Sequence, residues 1–255
     1  MAGMKPFLLL SLRPEESLVR REWELFRSLG ELQADELEQV WLEAAPLPEL
    51  ELGLYSGVII GGSPYRHTTP DGARTATQQR LDRDLETLLG QVIERAVPCL
   101  ATGYGLQALV RHLGGTVSPI PGRALGSEEI YLTAAGRQDP LLADLPEVFT
   151  TFVAHHDVCD TVPAGATVLA ASRRCPAQIL RFGTEIYGIQ FNPEVDATAL
   201  AARLATYEEA GFYPDFDDEH ASHFRTSEQS VDLHPAGRII RNFVEHNAEL
   251  VDLSH

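Results

Sequence analysis

The chain has 255 residues, 44% of them hydrophobic and 22% charged, with a formal net charge of −17 at neutral pH. That balance predicts a water-soluble globular protein of one large α/β domain or two small ones. The negative charge argues against nucleic acid or an anionic membrane as a main partner, because both are polyanions.

Taken in chain order, "KPFLLLSL" reads as a buried first strand. It is too short to span a membrane and has no small-residue cleavage pattern. "PEESLVRREWELFRSLG" follows as a helix, with Pro14 near its start, acids in its first turn and Gly30 at its end. Leu18, Trp23, Leu25, Phe26 and Leu29 give it an apolar face. "EQVWLEA" is a shorter strand, and "GVIIGGSP" is a buried strand, Gly57 to Ile60, running into the turn Gly61–Gly62. "TATQQRLDRDLETLLGQVIERA" is a long amphipathic helix with Leu81, Leu85, Leu88, Leu89, Val92 and Ile93 at helical spacing. "VPCLA" is the next strand, followed by the turn Gly103–Gly105 and the helix "GLQALVRHLGG", ended by Gly114. This alternation implies a parallel sheet with helices on both faces. Ligands in such sheets sit beyond the carboxyl ends of the strands, where both glycine turns should face one crevice.

The second half reads as short strands: "EEIYLTAAG", "VFTTFVAHHD", "ATVLAAS", "AQILRFG" and "EIYGIQF". They predict a mixed or antiparallel extension of the same sheet. A helix "ATALAARLATYEEAG" comes next, then a polar stretch over about 212–236, read as a surface excursion, and a closing helix "AGRIIRNFVEHNAEL". In the polar stretch His220 and His223 would share a helical face beside Asp217, Asp218 and Glu219, which suits a metal. A solvated acidic loop is the simpler reading, and no metal is expected. With no repeat and no linker, residues 1–255 form a single domain. The three cysteines, Cys99, Cys159 and Cys175, are too few and too irregular for a disulfide framework or a zinc site. A reduced, cytoplasmic protein is expected.

The segment "CLATGYGLQAL", Cys99 to Leu109, has the outline of a nucleophile elbow: an apolar strand end, a tight glycine turn and a helix start. Such a turn holds its tip in a strained backbone where helix N–H groups converge. Its tip here is Gly103, and alone the segment is equally a plain strand–helix turn. Its G-x-G lacks the third glycine of a dinucleotide fingerprint, so no cofactor is expected.

With "GVIIGGSP" before it and "YGIQFNPE" (Tyr187–Glu194) after it, the chain resembles the class I, triad-type glutamine amidotransferases, the kind of domain found in GMP synthase. That family carries a Gly-Gly turn after a buried strand, an elbow G-x-C-x-G-x-Q and a late G-x-Q-F-H-P-E. "HHDVCDTVPAGATVLAAS" and "GRIIRNFVEH" are similar to further family segments, so the resemblance runs from the first strand to the last helix. It implies a three-layer, flavodoxin-like α/β fold with a mostly parallel sheet. It also implies a stand-alone GMP-synthase-like member, since 255 residues leave no room for a synthase domain.

The family's roles fall on named positions. The nucleophile position is Gly103 and the base position is Asn192, while Glu194 keeps the orienting acid. Oxyanion donors would be the backbone N–H groups of Gly62 and Tyr104, and Gly61, Gly105 and Gln107 complete the pocket. Glycine cannot attack, and an Asn amide does not titrate near neutrality. Losing the nucleophile alone removes nearly all covalent catalysis. The expectation is a protein without glutaminase activity. It would bind a small amide or carboxylate ligand, or regulate or scaffold a partner enzyme. The alternative is altered hydrolase or transferase chemistry in the same pocket, using Glu194 or a histidine. Cys99 should point into the sheet packing. Cys159, after His155, His156 and Asp157, invites a relocated nucleophile but reads better as structural. Cys175 has Arg173 and Arg174 beside it to lower its pKa. Arg66 and His67 are expected at the crevice mouth, and His155 and Asp157 in packing and hydrogen bonding.

Overall fold

The structure, a computed structural model, describes residues 3–210 and 234–251. Its frame is a nine-stranded sheet. Five strands on one side are parallel: β2 (Phe7–Ser11), β3 (Leu37–Trp41), β4 (Gly57–Ile60), β5 (Cys99–Thr102) and β10 (Ile186–Ile189). The other four are antiparallel: β6 (Thr116–Leu132), β7 (Val148–Thr161), β8 (Ala166–Ala171) and β9 (Ile179–Phe182). The spatial order is β3-β2-β4-β5-β10-β9-β8-β6-β7. A two-stranded ladder of β1 (Gly3–Met4) and β11 (Leu250–Val251) ties the described ends of the chain together.

Both faces of the parallel half are covered, which explains why its strands are continuous apolar runs. On β2, Phe7 and Leu9 join one core with Phe26 of α1 (Glu16–Leu29) and with Ile239, Ile240 and Phe243. The last three belong to the closing helix, α5 (His234–Asn247). Leu8 and Leu10 point the other way, into the leucines of α2 (Ala76–Glu94) and into α3 (Tyr104–His112). The period-2 alternation of a strand thus splits four consecutive residues, Phe7 to Leu10, between two cores. A third cluster holds α4 (Ala197–Glu209) through Leu200, Leu204 and Tyr207 against Leu18 and Phe152. Two helix starts are fixed by side-chain caps: Thr75 Oγ1 accepts from Gln78 N–H at 3.0 Å, and Asp196 Oδ1 accepts from Ala199 N–H at 2.7 Å.

The antiparallel extension is as expected in kind but not in extent. β6 runs for 17 residues, well upstream of "EEIYLTAAG". Pro119 and Pro121 disguise it, because proline removes a ladder donor. The pairing with β7 accommodates them with register shifts between Thr116 and Val117 and between Pro119 and Ala124. The expected surface excursion, with His220 and His223, lies outside the described residues apart from 234–236, which open α5.

Candidate functional site

Strands β4, β5 and β10 are neighbours and parallel, so the loops leaving their carboxyl ends meet. These loops carry Gly61–Gly62, Gly103 and the run Gln190–Glu194. Gly103 caps α3 with φ +53° and ψ −110°, donates its N–H to Ile189 O at 2.8 Å, and accepts from Gln107 N–H at 3.2 Å. A β-carbon on Gly103 would stand 3.3 Å from Asn192 Oδ1 and 3.6 Å from Gly62 Cα. The tip of the turn, the Gly-Gly loop and the FNPE segment therefore converge on one point.

The glycines here sit at close approaches. A β-carbon on Gly62 would lie 2.7 Å from Asn192 Oδ1, and one on Gly61 would lie 2.8 Å from Glu22 Oε1. Gly105 packs so tightly on Ile60 that a β-carbon would sit 2.8 Å from its Cγ2. Gly62, Gly103, Tyr104, Gln107 and Asn192 line the crevice, together with Arg66, His155, Asp157 and Gln190. Gly61 and Gly105 do not; they let the surrounding elements close up. The free volume of the crevice is about 40 Å3. That admits little more than water, against roughly 300–1,000 Å3 for a small-molecule pocket.

Its lining is polar. Gln107 and Gln190 both donate their side-chain amides to Asp157 O, at 3.0 and 3.2 Å. The Asp157 carboxylate accepts from Thr68 N–H at 3.0 Å and from Thr68 Oγ1 at 2.7 Å, and Arg66 approaches it at 3.5 Å. Among the described residues, Gln190 Oε1, Asn192 Oδ1 and both ring nitrogens of His155 have no hydrogen-bond partner. The expected hydrogen bonding of His155 is thus not formed. Burial pushes its pKa down to about 4, so the ring is neutral near pH 7.

Glu194 lies behind the crevice, 2% exposed, in a buried ionic cluster. Its Oε1 accepts from Arg203 Nη2 at 3.0 Å and lies 3.5 Å from Arg13 Nη2, while Oε2 has no partner among the described residues. Arg13, itself 1% exposed, donates Nε to Glu22 Oε1 and Nη1 to the Tyr207 hydroxyl, each at 2.7 Å. Ser11 donates to the other Glu22 oxygen at 2.7 Å. Burial works against the Arg13 cation, but Glu22, Tyr207 and Glu194 outweigh it and hold its pKa above the ordinary value. Burial pushes the Glu22 carboxyl up, and Arg13 pulls it back. Sequence reasoning missed Arg13, Glu22, Arg203 and Tyr207. A signal existed: Glu22 and Arg203 interrupt the apolar stripes of α1 and α4, where only a paired charge survives.

Two further expectations need correction. Cys175 is fully buried, and burial pushes its thiol up to about 12, so Arg173 and Arg174 do not activate it. Cys159, by contrast, is structural as expected: it packs in the core of the α2/α3 face with its thiol pushed up to about 11. His67 is not at the crevice mouth. It is 7% exposed and stacks on Tyr104, with ring centroids 3.8 Å apart, while Arg66 does line the crevice. Cys99 is buried in the sheet packing as expected, with its thiol pushed up to about 12. Among the described residues no group of His, Cys, Asp and Glu is arranged to hold a metal, and no helix is long and apolar enough to cross a membrane.

Comparison with known proteins identifies the arrangement. A segment of 150 residues is 31% identical to a GMP synthase of Borreliella burgdorferi, covering 59% of this chain and 26% of that enzyme. A segment of 104 residues is 36% identical to the GMP synthase of Dehalococcoides mccartyi, covering 41% of this chain and 19% of that enzyme. The chain thus spans about a quarter or less of the relatives it matches. Among solved structures, a glutamine amidotransferase from Thermotoga maritima superposes with a TM-score of 0.72 over 96% of this chain and 98% of its own, at 18% identity. One from Methylobacillus flagellatus gives 0.69 over 99% of each chain, at 15% identity. Residues 21–206 match the class-I glutamine amidotransferase family, and the chain belongs to that family.

Proposed function

We propose that this protein is a glutamine amidotransferase-like pseudoenzyme that does not release ammonia from glutamine and acts by regulating or scaffolding a partner enzyme. The observation that carries this reading is the tip of the elbow. Gly103 offers no nucleophile, and the group nearest to where a side chain would begin is the Asn192 amide, which is no base. The free volume of about 40 Å3 favours the partner role over turnover of a bound amide or carboxylate. The rival chemistry, with Glu194 as acid or base, is disfavoured because two guanidinium groups occupy that carboxylate behind the crevice.

The test is ammonia release from glutamine by the purified protein, beside the Gly103→Cys/Asn192→His double variant. The unaltered protein should be silent. Activity in the variant alone would place the defect at those two positions. Glu194 Oε2, which has no partner among the described residues, is the acceptor a restored imidazole would need. Ammonia from the unaltered protein would sink the reading.

A further inference from the structure

A second cavity, of about 500 Å3, lies outside the crevice on the flank of the elbow helix. It is walled by Arg74, Arg83, Arg111, Asp82, Glu86 and His67, from α2, α3 and the loop after β4. Its size is that of a small-molecule site. Its charges are unevenly matched. Asp82 is taken up by Arg74, whose Nη1 donates at 2.8 Å, and by the Tyr104 hydroxyl. Glu86 faces His112 at 2.9 Å. Among the described residues, neither Arg83 nor Arg111 has a carboxylate within ion-pair distance.

Arg111 is held in another way. Its Nη1 donates to His67 Nδ1 at 3.1 Å. That nitrogen accepts only while the ring is neutral, and burial pushes the His67 pKa down to about 3. The other ring nitrogen, Nε2, carries the proton and donates to Tyr104 O at 3.1 Å. A carboxylate in the place of His67 would cancel the charge of Arg111. The imidazole aims the guanidinium and leaves the charge intact, in a chain whose net charge is −17.

We propose that this groove binds a small oxyanion, the phosphate or carboxylate group of a metabolite, through the guanidinium groups of Arg111 and Arg83. Arginine forks match both groups, and a hydrogen bond from a charged donor is worth more than a neutral one. His67 is the positioning residue. It also stacks on and bonds to Tyr104, the residue after the elbow tip.

Calorimetric titration of the full chain at constant ionic strength tests this, with inorganic phosphate and acetate as probes. Saturable binding of either supports the site, and the tighter probe names the oxyanion. Arg111→Gln and Arg83→Gln change exposed side chains, so folding, checked by circular dichroism, should survive. Each should weaken binding at least about tenfold. No saturation by either probe below about 10 mM would overturn the proposal. So would an Arg111→Gln protein that binds as tightly as the unaltered one.

Discussion

Placing a single methyl group on Gly103 tests the elbow most directly. At φ +53° and ψ −110° an L residue is strained, and residues held in such regions cost on the order of 1–3 kcal/mol. The new β-carbon would also meet Asn192 Oδ1 at 3.3 Å, so that amide must give by a few tenths of an ångström. Against this, replacing glycine lowers the entropy of the unfolded chain, a gain of about 0.4–1 kcal/mol. Gly103→Ala should therefore lose about 1–2 kcal/mol net. Equilibrium urea unfolding followed by circular dichroism reads this as a lower midpoint at unchanged slope. Adding Asn192→Ala should recover only the steric part, because the strain in φ remains. An unchanged or raised midpoint in Gly103→Ala would show that the turn relaxes freely, and the strain argument would fail.

Stability should fall as the solution is acidified below the ordinary histidine pKa near 6.5. His67 and His155 are held down to about 3 and about 4. The unfolded chain then takes up protons that the folded chain cannot, so their contribution is complete above pH 7 and is lost progressively as pH falls towards 4. For His67 the loss at pH 5 is about 2 kcal/mol, and His67→Gln should flatten the urea midpoint against pH. Glu194→Gln should cost about 3–5 kcal/mol, because it strips a buried carboxylate from Arg203 and Arg13. Thermal unfolding would show this, and a near-neutral result would mean that the cluster is not held by charge. The three thiols should be silent to a disulfide reagent in the native protein and react together on denaturation, since all are buried and pushed up.

The parallel half was legible because local signals agreed there. Leu8 to Leu10 are apolar in a row because both sheet faces are covered, and each glycine turn marks a close approach of neighbouring elements. The antiparallel half was harder. Pro119 and Pro121 break the pattern that β7 repairs from a distance, and register shifts leave no local trace. The convergence of Gly62, Gly103 and Asn192 was readable from the motifs together. The chemistry behind Glu194 was not, because Glu194 and Arg203 meet Arg13 and Glu22 from the opposite end of the chain. The neutral state of His67 was equally hidden. It follows from burial under Tyr104, which no spacing rule encodes.

The bend at Gly103 is enforced by its surroundings. Gly105 is clamped on Ile60, and Gly188 leaves room for Leu106, whose Cδ1 would stand 2.2 Å from a β-carbon there. The bend is thus a requirement of how the helix seats on the sheet, and it persists whether or not the tip carries a reactive atom. Backbone superposition therefore cannot separate working members of such a family from silent ones. The proposed loss of ammonia release would rest on two positions, Gly103 and Asn192, that superposition does not weigh.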